Sequence, residues 1–358
     1  MPLFADVANV NPMLGVLLFA LGGLAGAVFY LPFKKVKNWA WESYWMIYAV
    51  FGLIIMPWIL ALCTSPNVIS VIKAAPSKEL GYCILCGAMW GVGGLTWGLM
   101  IRYLGVGLGL AIGCGLCSAA GTLVPPLLKG EFGALLATSA GQVSLAAVVI
   151  SVIGIVFVGG AGMSKERELS EEAKKAAVAE YNFKLGLIVA IFSGLMSAGM
   201  NFGLQGGVNL AKLAKTVEPI TPDTWVGMPV LVVVLLGGFT INAGWCLFLN
   251  AKNKTMGDYV NSATPLVTNL IFAGLAGVLW CCQFICLKTG EPAMGKLSYI
   301  GWSVMFSAVI LFSTLIGLWL GEWKNTSART KLLLALGLLF LLAASAISGY
   351  SGYLSLKQ

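Results

Sequence analysis

The chain reads as an all-α polytopic membrane protein with ten transmembrane helices arranged as a 5+5 inverted repeat. Composition is the first ground for this: 59% of its 358 residues are hydrophobic and 10% charged, with a mean hydropathy of +0.90, where soluble domains carry about 25% charged residues. Length of the apolar runs is the second. Each is continuously apolar over about twenty residues, enough for one helical span, whereas the strands of a membrane barrel alternate over about ten. Internal repetition is the third. Leu21-Gly22-Gly23-Leu24-Ala25-Gly26-Ala27 in the first run matches Phe192-Ser193-Gly194-Leu195-Met196-Ser197-Ala198 in the sixth at Gly23/Gly194, Leu24/Leu195 and Ala27/Ala198.

Two further matches extend the repeat. Gly91, Gly94, Trp97 and Leu104 in the third run align without gaps on Gly274, Gly277, Trp280 and Leu287 in the eighth, and Lys129-Gly130-Glu131-Phe132 after the fourth resembles Leu320-Gly321-Glu322-Trp323 after the ninth. The spans are expected at 12–33, 40–63, 80–102, 104–128 and 142–162 in a first repeat (1–162), and at 185–206, 228–250, 265–288, 298–320 and 331–351 in a second (185–358). Five spans per half is an odd number, so the second half enters the membrane upside down. That is the architecture of alternating-access transporters, whose site lies at the repeat interface.

The linker at 163–184 is the strongly charged stretch, and its Glu/Lys/Ala composition predicts a short surface helix. Basic residues mark cytoplasmic loops. One set of loops holds Lys34, Lys35, Lys37, Arg102, Lys165, Arg167, Lys174, Lys175, Lys184, Lys252, Lys254, Lys324, Arg329 and Lys331, 14 of the 22 basic residues. Both termini are therefore expected outside and the linker inside. The same loops account for the net charge of +8, so nucleic acid is not an expected partner. Residues 1–11 lack the basic region of a cleavable signal peptide.

Cys83/Cys86 and Cys114/Cys117 have a spacing that suggests zinc or redox chemistry in soluble proteins. Within apolar spans of a chain with no histidine, the better reading is packing. No metal, no cofactor and no catalytic residue is expected, and a His-based triad or proton relay is excluded.

Polar groups at membrane depth are costly and tend to line a substrate path. Ser193, Ser197, Asn201 and Gln205 in the sixth span recur every four residues, on one helix face. Their repeat partners in the first span are Gly22, Gly26, Tyr30 and Lys34. Serines and glycines at this spacing serve helix packing, but a primary amide in lipid forfeits several hydrogen bonds, so Asn201 and Gln205 are expected at a cavity. Asn242, Asn269 and Gln283 add further amides, with Trp280 one turn before Gln283 and Trp90 and Trp97 in the third span. Indole faces beside amides suit a small neutral sugar. Trp39, Trp41, Trp58, Trp302, Trp319 and Trp323 lie near run ends and are expected in the interfacial belt. No Lys, Arg, Asp or Glu falls near the middle of a span, which argues against phosphate, carboxylate or cationic substrates. Glu42, about one turn into the second span, is the most inserted acid, either a proton-coupling carboxylate or a structural one paired with Lys35 or Arg102.

Phe29-Tyr30-Leu31-Pro32-Phe33-Lys34-Lys35-Val36-Lys37-Asn38-Trp39-Ala40-Trp41-Glu42 resembles the signature of the L-rhamnose–proton symporter family. Gly87-Ala88-Met89-Trp90-Gly91-Val92-Gly93, Arg102-Tyr103-Leu104-Gly105 and the Phe192–Met200 stretch also resemble it. The resemblance implies a ten-helix drug/metabolite transporter fold in a bacterial cytoplasmic membrane, importing a deoxy-sugar (L-rhamnose or a relative such as L-lyxose) with a proton. Its expected partners are the sugar, the proton and membrane lipid. Tyr30, Lys34, Lys35, Glu42, Trp90, Arg102, Asn242, Gln283 and Glu322 match family positions, which adds Glu322 as a second coupling candidate. Gly94, where the family pattern suggests asparagine, Asn201 and Gln205, and Cys281, Cys282 and Cys286 depart from it. An uncoupled facilitator or exporter of another small neutral metabolite shares every architectural feature; an enzyme or receptor lacks support from any catalytic constellation.

Overall fold

A computed structural model describes residues 11–128, 132–170, 180–294 and 301–355, and every regular element in them is helical. Eight helical stretches are long and apolar enough to cross a membrane, and two shorter apolar helices, Val106–Cys117 and Ser303–Trp319, fall in the fourth and ninth expected spans. The chain is a polytopic helical membrane protein. Lys129-Gly130-Glu131 of the third repeat match, and linker residues 171–179 with Lys174 and Lys175, lie outside the described residues.

The helices used below are α1 (Pro12–Val28), α2 (Trp41–Ala49), α3 (Met56–Thr64), α4 (Val68–Ala74), α5 (Ser77–Leu104), α6 (Val106–Leu128), α7 (Phe132–Ala137) and α8 (Ser139–Glu168). They continue with α9 (Phe183–Ser197), α10 (Gly199–Gly206), α11 (Val208–Thr216), α12 (Met228–Asn253), α13 (Leu266–Met294), α14 (Gly301–Trp319) and α15 (Ala328–Ser355).

Three expected spans are interrupted. The first ends at Val28 and resumes as a 3-10 turn, Leu31–Lys35, because Pro32 lacks an amide hydrogen to continue the α ladder. The second carries a π turn, Val50–Ile55, joining α2 to α3. Pro57, at the start of α3, has no N–H to donate and its ring crowds the carbonyl four residues back, which favours a wider local register. The sixth tightens at Ala198, whose amide bonds the Leu195 carbonyl three residues back. That tightening corrects the expected single polar face: Ser193 and Ser197 are buried, whereas Asn201 is half-buried and Gln205 exposed.

The chain forms two compact units. One comprises Val28–Gly94 and Gly199–Thr289; the other comprises Asn9–Ala27, Leu95–Ala198 and Gly290–Gln358. Glycines set the packing within each. In the first unit α5 lies on α12, where a Cβ on Gly91 would meet the Gly238 carbonyl at 2.7 Å, and α13 lies on the π turn, where one on Gly52 would meet the Gly277 carbonyl at 3.0 Å. In the second, α8 and α15 cross at Gly154 and Gly337, each 3.0 Å from the other's carbonyl by the same measure. Phe157 and Phe340 stack beside that crossing, 5.5 Å apart and 8° from parallel. Gly23 of α1 seats against Ala308 of α14, and Gly194 of α9 against Leu116 of α6.

Two tryptophans expected in the interfacial belt are instead inside the protein. Trp39 is buried in the first unit and Trp323 in the second, each held by tertiary packing rather than by the membrane surface. Trp319 is 79% exposed.

Candidate functional site

The first unit collects aromatic side chains into one continuous group. Trp41, Trp45 and Tyr48 follow at i, i+4 and i+7 along α2 and so share a face. The Trp41 and Trp45 rings stack 5.0 Å apart at 21°, and Trp45 meets Tyr48 at 4.7 Å. The 3-10 turn brings Phe33 to 5.9 Å and Tyr30 to 6.3 Å from Trp45. From α13, Trp280 stands edge-on to Tyr48 at 6.5 Å and packs against Trp90 of α5 at 5.4 Å, with Phe284 at 5.2 Å. Tilted and edge-to-face contacts at these separations are the favoured arrangements of aromatic pairs.

Amides are threaded through the group. Asn242 of α12 accepts from the Trp45 indole N–H at 2.8 Å and donates to the carbonyls of Gly238 at 2.8 Å and Gly91 at 3.4 Å. Gln283 donates to the Trp280 carbonyl at 2.8 Å, which leaves its side-chain oxygen to accept. Tyr30, Trp90, Asn242, Trp280 and Gln283 are thus brought together. Asn269 instead clasps the loop ahead of α2, accepting from the Lys37 amide and donating to the Lys37 carbonyl. Asn201 and Gln205 belong to the same unit on α10, whose Gly199 and Gly203 pack on Cys86 and Val234. Trp97 belongs to the second unit, its ring over Gly113 of α6. Trp45 and Tyr48 were missed by the sequence reading, although the Trp41-x3-Trp45-x2-Tyr48 spacing was there to signal them.

Glu42 lies at one end of α2, 5% exposed. Its carboxylate accepts from Asn253 and the Thr255 hydroxyl, both at 2.9 Å. Beside it Ser43 donates to Asp258 at 2.7 Å, the Asn250 side-chain oxygen lies 2.9 Å from the Thr255 hydroxyl and competes with Glu42 for its one hydrogen, and Asn250 donates to the Tyr259 hydroxyl. Burial pushes the Tyr259 hydroxyl up from its ordinary range.

The second unit has its own charged cluster. Glu322 sits at the start of α6, accepting from the backbone amides of Val106 at 2.7 Å and Gly107 at 3.0 Å, a carboxylate on the positive end of a helix. Gly105, at φ +85°, makes room for it: a Cβ there would lie 2.7 Å from the carboxylate. Lys165, counted from sequence among the loop cations, is instead fully buried in the last turn of α8, its ammonium 5.0 Å from the ring centres of both Tyr181 and Trp323. Arg102 forms an ion pair with Glu180 at 2.6 Å. Hydrogen bonds from the Ser327 amide, then from the Thr330 and Ser327 hydroxyls, hold the Glu168 carboxyl down to about 2. All nine cysteines are free.

The chain is a helical membrane protein that gathers indole faces and neutral amides in one unit, and the proteins it resembles are transporters rather than enzymes. The particular family follows from comparison. A family model described as L-rhamnose-proton symport protein matches residues 8–353. A protein of Cronobacter sakazakii named L-rhamnose-proton symporter is 34% identical over 342 residues, covering 94% of this chain and 96% of that protein. Proteins of the same name from Escherichia coli and Klebsiella pneumoniae are each 33% identical over 342 residues, covering 94% of this chain and 97% of their own lengths. No solved structure matches the chain. The chain belongs to the L-rhamnose-proton symport protein family.

Proposed function

We propose that this protein imports L-rhamnose, or a close relative such as L-lyxose, together with a proton across a bacterial cytoplasmic membrane by alternating access. The observation that carries the sugar reading is the group formed by Tyr30, Trp45, Tyr48, Trp90, Trp280 and Gln283, in a chain of this family. Ring faces take the apolar C–H surface of a pyranose while amides meet its hydroxyls. Asn201 and Gln205 extend the polar lining on α10.

Ten spans in an inverted repeat, the drug/metabolite transporter arrangement, are supported by contacts within each unit. The Asn182 amide bonds the Tyr103 carbonyl at 3.1 Å and Arg102 pairs with Glu180, so the segments flanking α6 and α8 share a membrane side. That fits an even number of crossings between them, with α6 crossing as α8 does. Ser327 likewise donates to Glu168 at 2.7 Å, which fits α14 crossing as well. The repeat-matched glycines also exchange partners: Gly23 seats the first span on the ninth and Gly194 the sixth on the fourth. Gly91 joins the third to the seventh, and its match Gly274, against Phe51, the eighth to the second. These are the contacts expected of five-span repeats at 1–162 and 185–358 joined by the linker at 163–184.

Coupling needs a group whose protonation changes with access. Glu42 is buried and accepts from Asn253 and Thr255, bonds that a neutral carboxyl could keep in part; Glu322 accepts two backbone amides, an arrangement that favours the charge. Glu42 is accordingly the first coupling candidate and Glu322 the second. One charge moved through 100 mV is worth about 2.3 kcal/mol, roughly a fiftyfold concentration ratio. Proteoliposomes carrying an internal pH dye provide the test. L-rhamnose is expected to drive proton uptake in the wild type, and Glu42→Gln to abolish it while keeping rhamnose exchange. Saturable exchange without protons in the wild type would make the protein a facilitator, and retained proton uptake in Glu42→Gln would move coupling to Glu322.

A further inference from the structure

Asn242 is the amide most enclosed by the aromatic group, 2% exposed, and at first sight a hydroxyl ligand for the sugar. Three of its four hydrogen-bonding sites are already taken, and the little of it that is exposed leaves no approach for a sugar to the fourth. A primary amide has two donor hydrogens and a carbonyl oxygen with two lone pairs. Both hydrogens are directed at backbone carbonyls, Gly238 one helical turn back on α12 and Gly91 on α5, and the oxygen takes the Trp45 indole N–H at 2.8 Å. The two carbonyls fix the amide plane, and the amide in turn fixes one edge of the Trp45 ring.

Trp45 is the hub of the group. Its ring, 2% exposed, touches Trp41, Tyr48, Phe33 and Tyr30. A rotation about its side-chain torsions would shift each of those rings, and Tyr48 carries the displacement on to Trp280. With its N–H committed, Trp45 acts through its ring alone.

We propose that Asn242 acts on the transported sugar only through Trp45: it is a positioning residue that holds the indole at the angle around which the Trp41–Tyr48 face and Trp280 are assembled, and it makes no contact with the sugar. The inference rests on the sugar reading above and deepens it. It also separates the two amides of the group, since the Asn242 oxygen already holds the Trp45 N–H whereas the Gln283 oxygen holds no hydrogen bond among the described residues.

A double-mutant cycle on L-rhamnose binding to the purified full-length protein tests this, using Trp45→Phe, Asn242→Ala and the pair together. Trp45→Phe keeps an aromatic face and removes the N–H. Each single variant is expected to weaken binding roughly tenfold, as loss of one buried hydrogen bond allows, and the double variant to be no weaker than about twofold below either single one. Losses that multiply in the double variant would overturn the proposal, because Asn242 would then act independently of Trp45. Unchanged affinity in Asn242→Ala would overturn it as well. Should the alanine variant fail to fold, Asn242→Asp, which keeps an acceptor for the indole but sets an oxygen against the Gly238 and Gly91 carbonyls, takes its place in the cycle with the same expectation, and losses that multiply with Trp45→Phe would again overturn the proposal. Absence of rhamnose binding by the wild type would instead overturn the sugar reading beneath the proposal.

Discussion

At the scale of single residues, function divides between groups that are already satisfied and groups that still offer a hydrogen bond. Gln283 is of the second kind. Gln283→Ala is expected to weaken L-rhamnose binding by about 1–3 kcal/mol, the usual effect of removing one buried partner, whereas Ser193→Ala, in the buried packing face of α9, is expected to leave it unchanged. Equilibrium binding to purified variants checks both, and unaltered affinity in Gln283→Ala would place the sugar elsewhere. Individual residues were unevenly legible in the sequence. Trp90, Trp280 and Gln283 stood out because indoles and amides have few reasons to lie in apolar spans. Trp45 and Tyr48 did not, since a lone aromatic in an apolar run looks like any other core residue until its i, i+4, i+7 partners are read together. Lys165 was misread because position near a span end says nothing of the two rings that enclose its ammonium.

At the scale of elements, apolar length found all eight helical stretches long and apolar enough to cross, because a bilayer imposes a minimum run that few other environments require. Interruptions were harder. The π turn ahead of Pro57 has a local cause, but the tightening at Ala198 lies in Ser197-Ala198-Gly199, where no proline marks it. Tertiary contacts decide there. Helix crossings are likewise set by single glycines, and α8 offers an internal comparison. Gly154→Leu would drive a side chain into Gly337 and Leu341 of α15, while Gly159 and Gly160 face open space. Gly154→Leu is expected to cost about 1–3 kcal/mol or more through overpacking, and Gly160→Leu much less. Thermal unfolding in one detergent compares them, and equal midpoints would mean that the crossing is not the tight point it looks to be.

For the whole molecule, orientation is argued from charge: basic residues concentrate in the set of loops that includes 163–184, which is expected on the cytoplasmic side. A cysteine replacing Ser170 in a background without accessible thiols is therefore expected to resist a membrane-impermeant maleimide in intact cells and to react once they are opened. Labelling in intact cells would reverse the orientation.

The interleaving of the two compact units has a consequence for how the protein is made. The first unit needs residues from Val28 and residues as late as Thr289, and the second needs the chain to its last helix. Trp45 can reach Asn242 only after 197 positions more have been synthesised. Neither unit can therefore close behind the ribosome as an early domain does, and the first five spans must wait in the bilayer with Gly91 and the Trp45 N–H unmatched. Residues 1–162 expressed alone are expected to be degraded rapidly, and co-expression with residues 163–358 to rescue them, which a pulse-chase of each half would reveal.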